Sequence, residues 1–509
     1  MTTSSHDDSA RSKADLETVN PPTTFGGILR RLGPGLIIAA SIVGSGELIG
    51  TTKTGADAGY SLMWLILIGC VIKVFVQVEF GRYAVAEGVP TIEALDQVPG
   101  PRLRVNWLVW CWLFMFLASA VGQLGGILGG VGQLIAHKVP ITGDYIARED
   151  LIERTRTAEI AATPEGAPQA DKDLYKKLKE ELDKAPPTVD DVYHSVGIAI
   201  VTSIMLLVGR YSVVQNVSTI LVAGFTLVTV FNVFALPYFD NVDLGWERLW
   251  HGLSFHLPEK KGALGVALAT FGIIGVGASE VIAYPYWCIE RGYARFTGQR
   301  DTTESWAQRA RGWMRVMRVD CWISMLIYTF ATMAFYVLGA AVLHHRKLSP
   351  SKEGLIRTLE TMYTDVFGTW GGWVFLFGAF AVLYSTLFVA TAGNARVAAD
   401  GMVVYKLIKK DEKTRRWWIQ CLCGTLPFMQ LGVYMWSKDP VALVIISGLA
   451  QAFLLPLLGV AALYFRYVKC DSRIAPGKLW DVFLWISVFG MALAGGWGLY
   501  AEIAKLLAK

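Results

Sequence analysis

The chain has 509 residues, of which 53% are apolar and only 17% charged, with a formal net charge of +5. Soluble proteins carry roughly a quarter charged residues, and here the charges clump, 22 of them falling in residues 138–193. These figures exclude a soluble enzyme, a disordered chain, a fibre and an outer-membrane barrel, whose spans alternate over about 10 residues; they leave a polytopic helical membrane protein.

In chain order, residues 1–30 are polar and hold no apolar core before Leu36, so they read as a disordered cytoplasmic tail rather than a cleaved signal. Eleven apolar stretches of membrane-crossing length follow, at roughly 33–57, 60–84, 105–136, 195–209, 216–237, 262–289, 319–343, 370–393, 415–436, 440–466 and 478–503. The insert 138–193, with 13 acids and 9 bases, is soluble. Leu174, Leu178 and Leu182 recur every four residues in it, which predicts an amphipathic helix capping the third and fourth spans; a plain linker is the alternative.

Basic residues set the orientation. Seven arginines from Arg291 to Arg318 are opposed only by Asp301 and Glu304, and the connection from Arg396 to Arg416 carries seven bases. Both belong inside, which places the N-terminus in the cytoplasm and the acidic insert outside. Six of the seven cysteines fall within spans and Cys470 lies just beyond one, so no external disulfide framework is expected. Cys421 and Cys423 face different ways and read as packing residues. The stripe Gly122, Gly126 and Gly130 reads as close helix packing.

Two spans share a peculiarity. The first reads Gly44-Ser45-Gly46-Glu47-Leu48-Ile49-Gly50 and the sixth Gly277-Ala278-Ser279-Glu280-Val281-Ile282-Ala283. Each has small residues at mid-membrane, then a Glu, then two aliphatics. An offset of five spans inverts the second unit relative to the first, the pattern of an inverted-repeat transporter with discontinuous helices. Unwound backbone and a carboxylate at membrane depth are tolerated where they face protein or a watery cavity. Alternatively, the glycines only let helices approach and each Glu caps the half-helix behind it.

Gly33-Pro34-Gly35, the small-residue break at 44–47, Gly59-Tyr60, Trp64, Gln77, Arg82, Glu87-Gly88, Gly209-Arg210, and Gln451 with Pro456 in the tenth span together resemble the Nramp (natural resistance-associated macrophage protein) family of divalent-metal transporters. The resemblance covers nearly all of residues 30–470 outside the insert and rests on order and spacing. It implies a LeuT-type fold with the substrate between spans one and six. The repeats would be residues 33–237 and 262–466, with 478–503 an eleventh helix. The departures are at the centre. The family's Asp-Pro-Gly-Asn is here Gly44-Ser45-Gly46-Glu47, its sixth-span Met-Pro-His is missing, and its third-span carboxylates stand as Ala120 and Gln123.

None of His6, His137, His194, His251, His256, His344 and His345 lies mid-span, and neither break contains Met. What remains is hard oxygen, which suits Mg²⁺, Mn²⁺ or Ca²⁺. The expected substrate-binding residues are Val43, Gly44, Ser45, Gly46, Glu47, Gly277, Ala278, Ser279, Glu280 and Gln451, with Glu47 and Glu280 as metal ligands. Lys73 either pairs with a carboxylate, substitutes for a coupling cation, or snorkels to the cytoplasmic side. Gln123 is a pathway ligand or interhelical glue, and Glu79 with Arg82 forms an interfacial pair. Ser385 and Thr386 either line the path or bond their own backbone. The reading is a secondary transporter of a divalent cation, Mg²⁺ or Mn²⁺ favoured, in the plasma (inner) membrane. Its partners are the inorganic cation and the bilayer, with no nucleic acid and no cofactor. The alternative is a LeuT-type transporter of a small amine or amino acid. No metalloprotease motif, Ser-His pair at membrane depth or P-loop supports an enzyme.

Overall fold

The computed structural model describes residues 18–163, 168–208, 211–238, 242, 244–258 and 262–507. These are helical almost throughout; the only strands among them are the two-residue pieces Arg102–Leu103 and Val105–Asn106. Each expected span is occupied by a helix or a pair of half-helices. They run Pro34–Ile42 with Gly46–Thr51 and Thr52–Ala58, Met63–Glu87, Trp107–Lys138, Asp190–Val208, Tyr211–Ala235, Ala263–Ile273 with Ala278–Glu290, Glu304–His344, Thr369–Val404, Glu412–Ser437, Pro440–Lys469 and Lys478–Leu507. Eight of these are long and apolar enough to cross a membrane by length and composition. The first is cut into pieces by its break, and the ninth carries polar residues such as Gln420 and Gln430.

Two boundaries differ from the sequence expectation. The seventh helix starts at Glu304, so Arg309, Arg311, Arg315 and Arg318 lie on its first turns rather than in a loop. Thr303 caps it by accepting the Trp306 N–H at 3.2 Å. Residues 18–30 are also more ordered than a free tail. Helix Phe25–Leu29 forms, and Val19 is held between the Phe296 carbonyl and the Trp313 indole. Residues 1–17 and the Gly209-Arg210 turn lie outside the described residues.

The insert folds into two helices, Asp144–Ala162 and Gln169–Lys184, packed on each other. Leu178 is buried, whereas Leu174 stays exposed. The pair docks on the end of the third span and on helix Leu355–Phe367. His137 lies with one ring nitrogen 2.5 Å from Glu149 and the other 2.9 Å from Glu360, and Arg357 reaches Asp150 at 2.7 Å.

Helices approach closely where side chains are absent. A Cβ on Gly126 would lie 2.8 Å from the Pro440 carbonyl, and one on Gly272 only 2.0 Å from that of Gly448. Gly122 and Gly130 meet no such backbone, so the tight face of the third span runs through Gly125, Gly126, Gly129 and Gly132 instead of the expected stripe.

Candidate functional site

Both anticipated breaks form, and they touch. The first helix ends at Val43, whose ψ of 85° leaves the helical region. It resumes as a π-helical turn from Gly46. The sixth ends at Ile273, leaves the helical region from Ile274 through Gly277, and restarts at Ala278. Gly275 has φ +54°, a conformation only glycine adopts without strain. A Cβ on Gly46 would sit 3.0 Å from the Ile273 carbonyl, so that glycine is what lets the two unwound segments meet.

A cleft enclosing about 610 Å³ of empty space, its open mouth included, begins at this junction. Ile38, Ser41, Ser45 and Gly46 line it from the first span, Ser119 and Gln123 from the third. The sixth contributes Ser279, Glu280, Ala283 and Trp287, and the eighth Thr386, Gly393 and Asn394. It runs toward the face carrying Arg291 and Arg396. On the other side of the junction Thr51, Thr52 and Thr54 are fully buried.

A chain of neutral amides and hydroxyls ties four spans together at the head of the cleft. Gln123 Nε2 donates to Ser45 Oγ at 3.2 Å, and Gln451 Nε2 donates to Gln123 Oε1 at 2.8 Å. The Ser279 N–H and hydroxyl both donate to Gln451 Oε1, at 3.1 and 2.8 Å. The Ser279 hydroxyl also lies 2.9 Å from Glu280 Oε2. Glu280 sits in the first turn of its half-helix, at the positive end of the dipole. It is the one carboxylate among the residues lining the cleft.

Glu47 is placed differently from the expectation of a cavity-facing metal ligand. Its carboxylate is turned into the protein, where it accepts the Gly44 N–H at 3.2 Å, the Gly275 N–H at 3.4 Å and the Thr332 hydroxyl at 3.2 Å. The physical reason is that the breaks orphan backbone donors which a nearby carboxylate satisfies. Among the described residues no group of three or more His, Cys, Asp or Glu side chains could hold a metal ion. Val43, Gly44, Gly277 and Ala278 supply backbone around the junction without lining the cleft; Gly44 is pressed on Thr386, where a Cβ would meet Oγ1 at 2.2 Å. Gln451 stands behind Ser279. Lys73 does not snorkel: it is fully buried, its ammonium on the carbonyls of Phe271 and Ile274.

Thr386 lines the cleft with its hydroxyl on the Val382 and Ser41 carbonyls, so both expectations for it hold at once. Glu79 and Arg82 pair at 3.1 Å, but buried, with the Trp480 indole and the Ile474 carbonyl completing the cluster. Thr332 and Asp320 escaped the sequence reading. Asp320 accepts the N–H groups of Gly33 and Gly35 and so caps the first half-helix. A lone acid at the start of an apolar run, Val319-Asp320-Cys321, was the available signal.

The family profile described as "Natural resistance-associated macrophage protein-like" matches residues 35–143 and 188–501, leaving out residues 1–34, most of the insert and residues 502–509. The chain belongs to the Nramp family. This Nramp chain is 29% identical over 115 residues to the divalent metal cation transporter MntH of Caldanaerobacter subterraneus subsp. tengcongensis, covering 22% of this chain and 26% of that one. It is 33% identical over 131 residues to metal transporter Nramp2 of Oryza sativa subsp. japonica, covering 26% and 25%. The matched part thus spans about a quarter of the length of these curated relatives. Its fold superposes on a mutant of the Eremococcus coleocola manganese transporter with a TM-score of 0.62 at 14% identity, covering 96% of this chain and 90% of that one. The Nramp chain is therefore a multi-pass, all-α integral membrane protein with the LeuT-type arrangement of two inverted five-helix repeats and an eleventh span.

Proposed function

We propose that this protein is a secondary transporter of a divalent metal cation, working by alternating access around the broken first and sixth helices, and that it is not an enzyme. Residues 33–237 and 262–466 are the two inverted repeats in this reading, each contributing one break. The observation that carries it is the donor set of the cleft. One carboxylate, Glu280, stands among the hydroxyls of Ser45 and Ser279 and the amide of Gln123, with no imidazole or sulfur lining the space. Such oxygen ligands suit Mg²⁺ or Mn²⁺. A single charge and few protein ligands favour an ion that keeps part of its water shell, as Mg²⁺ does. Glu280 is the metal ligand in this scheme, and Glu47 supports the break behind it.

An organic amine is the less favoured substrate. Trp287, the aromatic side chain lining the cleft, already has the Arg396 guanidinium 5.3 Å from its ring centre, a cation that competes with an ammonium ligand for the ring. With no acid other than Glu280 and no His among the described residues lining the cleft, transport is weakly proton-coupled or uncoupled.

Flux into proteoliposomes of Mg²⁺, Mn²⁺ and Cd²⁺, with and without a pH gradient, tests the proposal. Uptake of Mg²⁺ or Mn²⁺ with weak Cd²⁺ uptake supports it. Strong proton-driven Cd²⁺ uptake, or uptake of labelled amines without metal flux, overturns it. The orientation in the same reading is N-terminus and Arg291–Arg318 cytoplasmic, insert outside. A Lys177→Cys variant labelled only from the cytoplasmic side would reverse that.

A further inference from the structure

In an unbroken helix the Phe271 carbonyl would accept the N–H of Gly275. Here that bond is divided between two charged side chains. Lys73 Nζ donates to the Phe271 carbonyl at 2.8 Å and also to the Ile274 carbonyl. Its ammonium lies 4.9 Å from the centre of the Phe271 ring. The freed Gly275 N–H goes to Glu47 Oε1. Both side chains are fully buried. The second span reaches this point because Gly69, one turn before Lys73, has no side chain; a Cβ there would meet the Phe271 ring at 2.8 Å.

Carbonyls at the C-terminal end of a half-helix carry the negative end of the dipole and lack helical partners. In transporters with broken helices such ends coordinate the coupling cation. We propose that Lys73 is a tethered replacement for such a cation: its ammonium permanently occupies the carbonyl end of the broken sixth helix, so the transport cycle needs no bound Na⁺ or K⁺. An ammonium and a monovalent metal ion present the same single charge to the same oxygens, and both cannot occupy them together. The flux part of this inference rests on the proposed transport function; the binding part does not.

The test compares thermal unfolding of purified wild-type and Lys73→Ala protein in chlorides of N-methyl-D-glucamine, Na⁺, K⁺ and ethylammonium at equal ionic strength. The wild-type midpoint should be indifferent to the cation. The Lys73→Ala midpoint should fall and be raised selectively by Na⁺, K⁺ or ethylammonium, which fit the space the side chain left. In proteoliposomes, wild-type metal flux should be equal in all four salts, and Lys73→Ala flux should drop roughly tenfold or more and recover with the same cation. Lys73→Met, which fills the space without charge, should be rescued by none. A wild-type midpoint or flux that depends on Na⁺ or K⁺, or a folded Lys73→Ala protein that no cation affects, overturns the proposal. If Lys73→Ala does not fold, the wild-type comparison alone decides, independence of the cation supporting the proposal. The expected unfolding pattern without any wild-type metal flux would refute the transport reading and leave the cation replacement standing.

Discussion

Gln451 Oε1 receives both polar hydrogens of Ser279, the backbone N–H at 3.1 Å and the hydroxyl at 2.8 Å, from a position 172 residues away. Its amide nitrogen simultaneously holds Gln123. One carboxamide thus fixes the restart of the sixth helix against the third span. Gln451→Leu leaves the Ser279 N–H and the Gln123 oxygen without this partner in a buried site. A lost buried partner costs about 1–3 kcal/mol, so substrate affinity should weaken by roughly ten- to hundredfold. Concentration-dependent flux measures this; unchanged affinity in a folded variant would reduce Gln451 to packing.

The two glutamates should separate by assay. Glu280 lines the cleft and Glu47 does not. Glu280→Gln removes the charge that a cation meets and should lower metal flux at least about tenfold while the unfolding midpoint changes little. Glu47→Gln disturbs the bonds to Gly44, Gly275 and Thr332 and should lower the midpoint itself. Equal effects of both variants on both readouts would contradict the division of roles.

The cluster where the insert docks on helix Leu355–Phe367 predicts an acid-sensitive contribution to stability. Burial pushes the Glu360 carboxyl up, but hydrogen bonds from His137 and Lys138 outweigh it and hold the group at about 2, below its ordinary 4.5. A carboxyl lowered on folding stabilises fully above its unfolded value, and that contribution disappears as pH falls through the folded one. The midpoint difference between wild-type and Glu360→Gln protein should therefore close as pH falls between 4.5 and about 2. A difference that widens on acidification would show the sign to be wrong.

Glycine substitutions should divide by what a Cβ would meet. Gly272→Ala drives a methyl against the Gly448 carbonyl, and overpacking of this kind costs about 1–3 kcal/mol. Gly432 lies in the ninth helix with nothing within 4 Å, so Gly432→Ala should be neutral or stabilising by up to about 1 kcal/mol. Unfolding midpoints of the two variants check the contrast.

Apolar runs and their punctuation determine a good deal by themselves. Eleven stretches of membrane-crossing length are legible because each helix must present a continuous apolar surface to lipid. The break positions are legible because Gly44, Gly46, Gly275 and Gly277 carry the permissive backbone locally. Glu280 in the first turn after a break follows from the same local pattern.

Only the tertiary structure decided which carboxylate faces the cleft. Glu47 and Glu280 occupy matching places in the sequence, yet Glu47 turns toward the amide of Gly275, 228 residues away, and the hydroxyl of Thr332, 285 away. Lys73 finds its carbonyls 198 and 201 residues on. Side-chain direction at a break depends on which orphaned backbone groups another span brings within reach, and no periodicity along one helix encodes that.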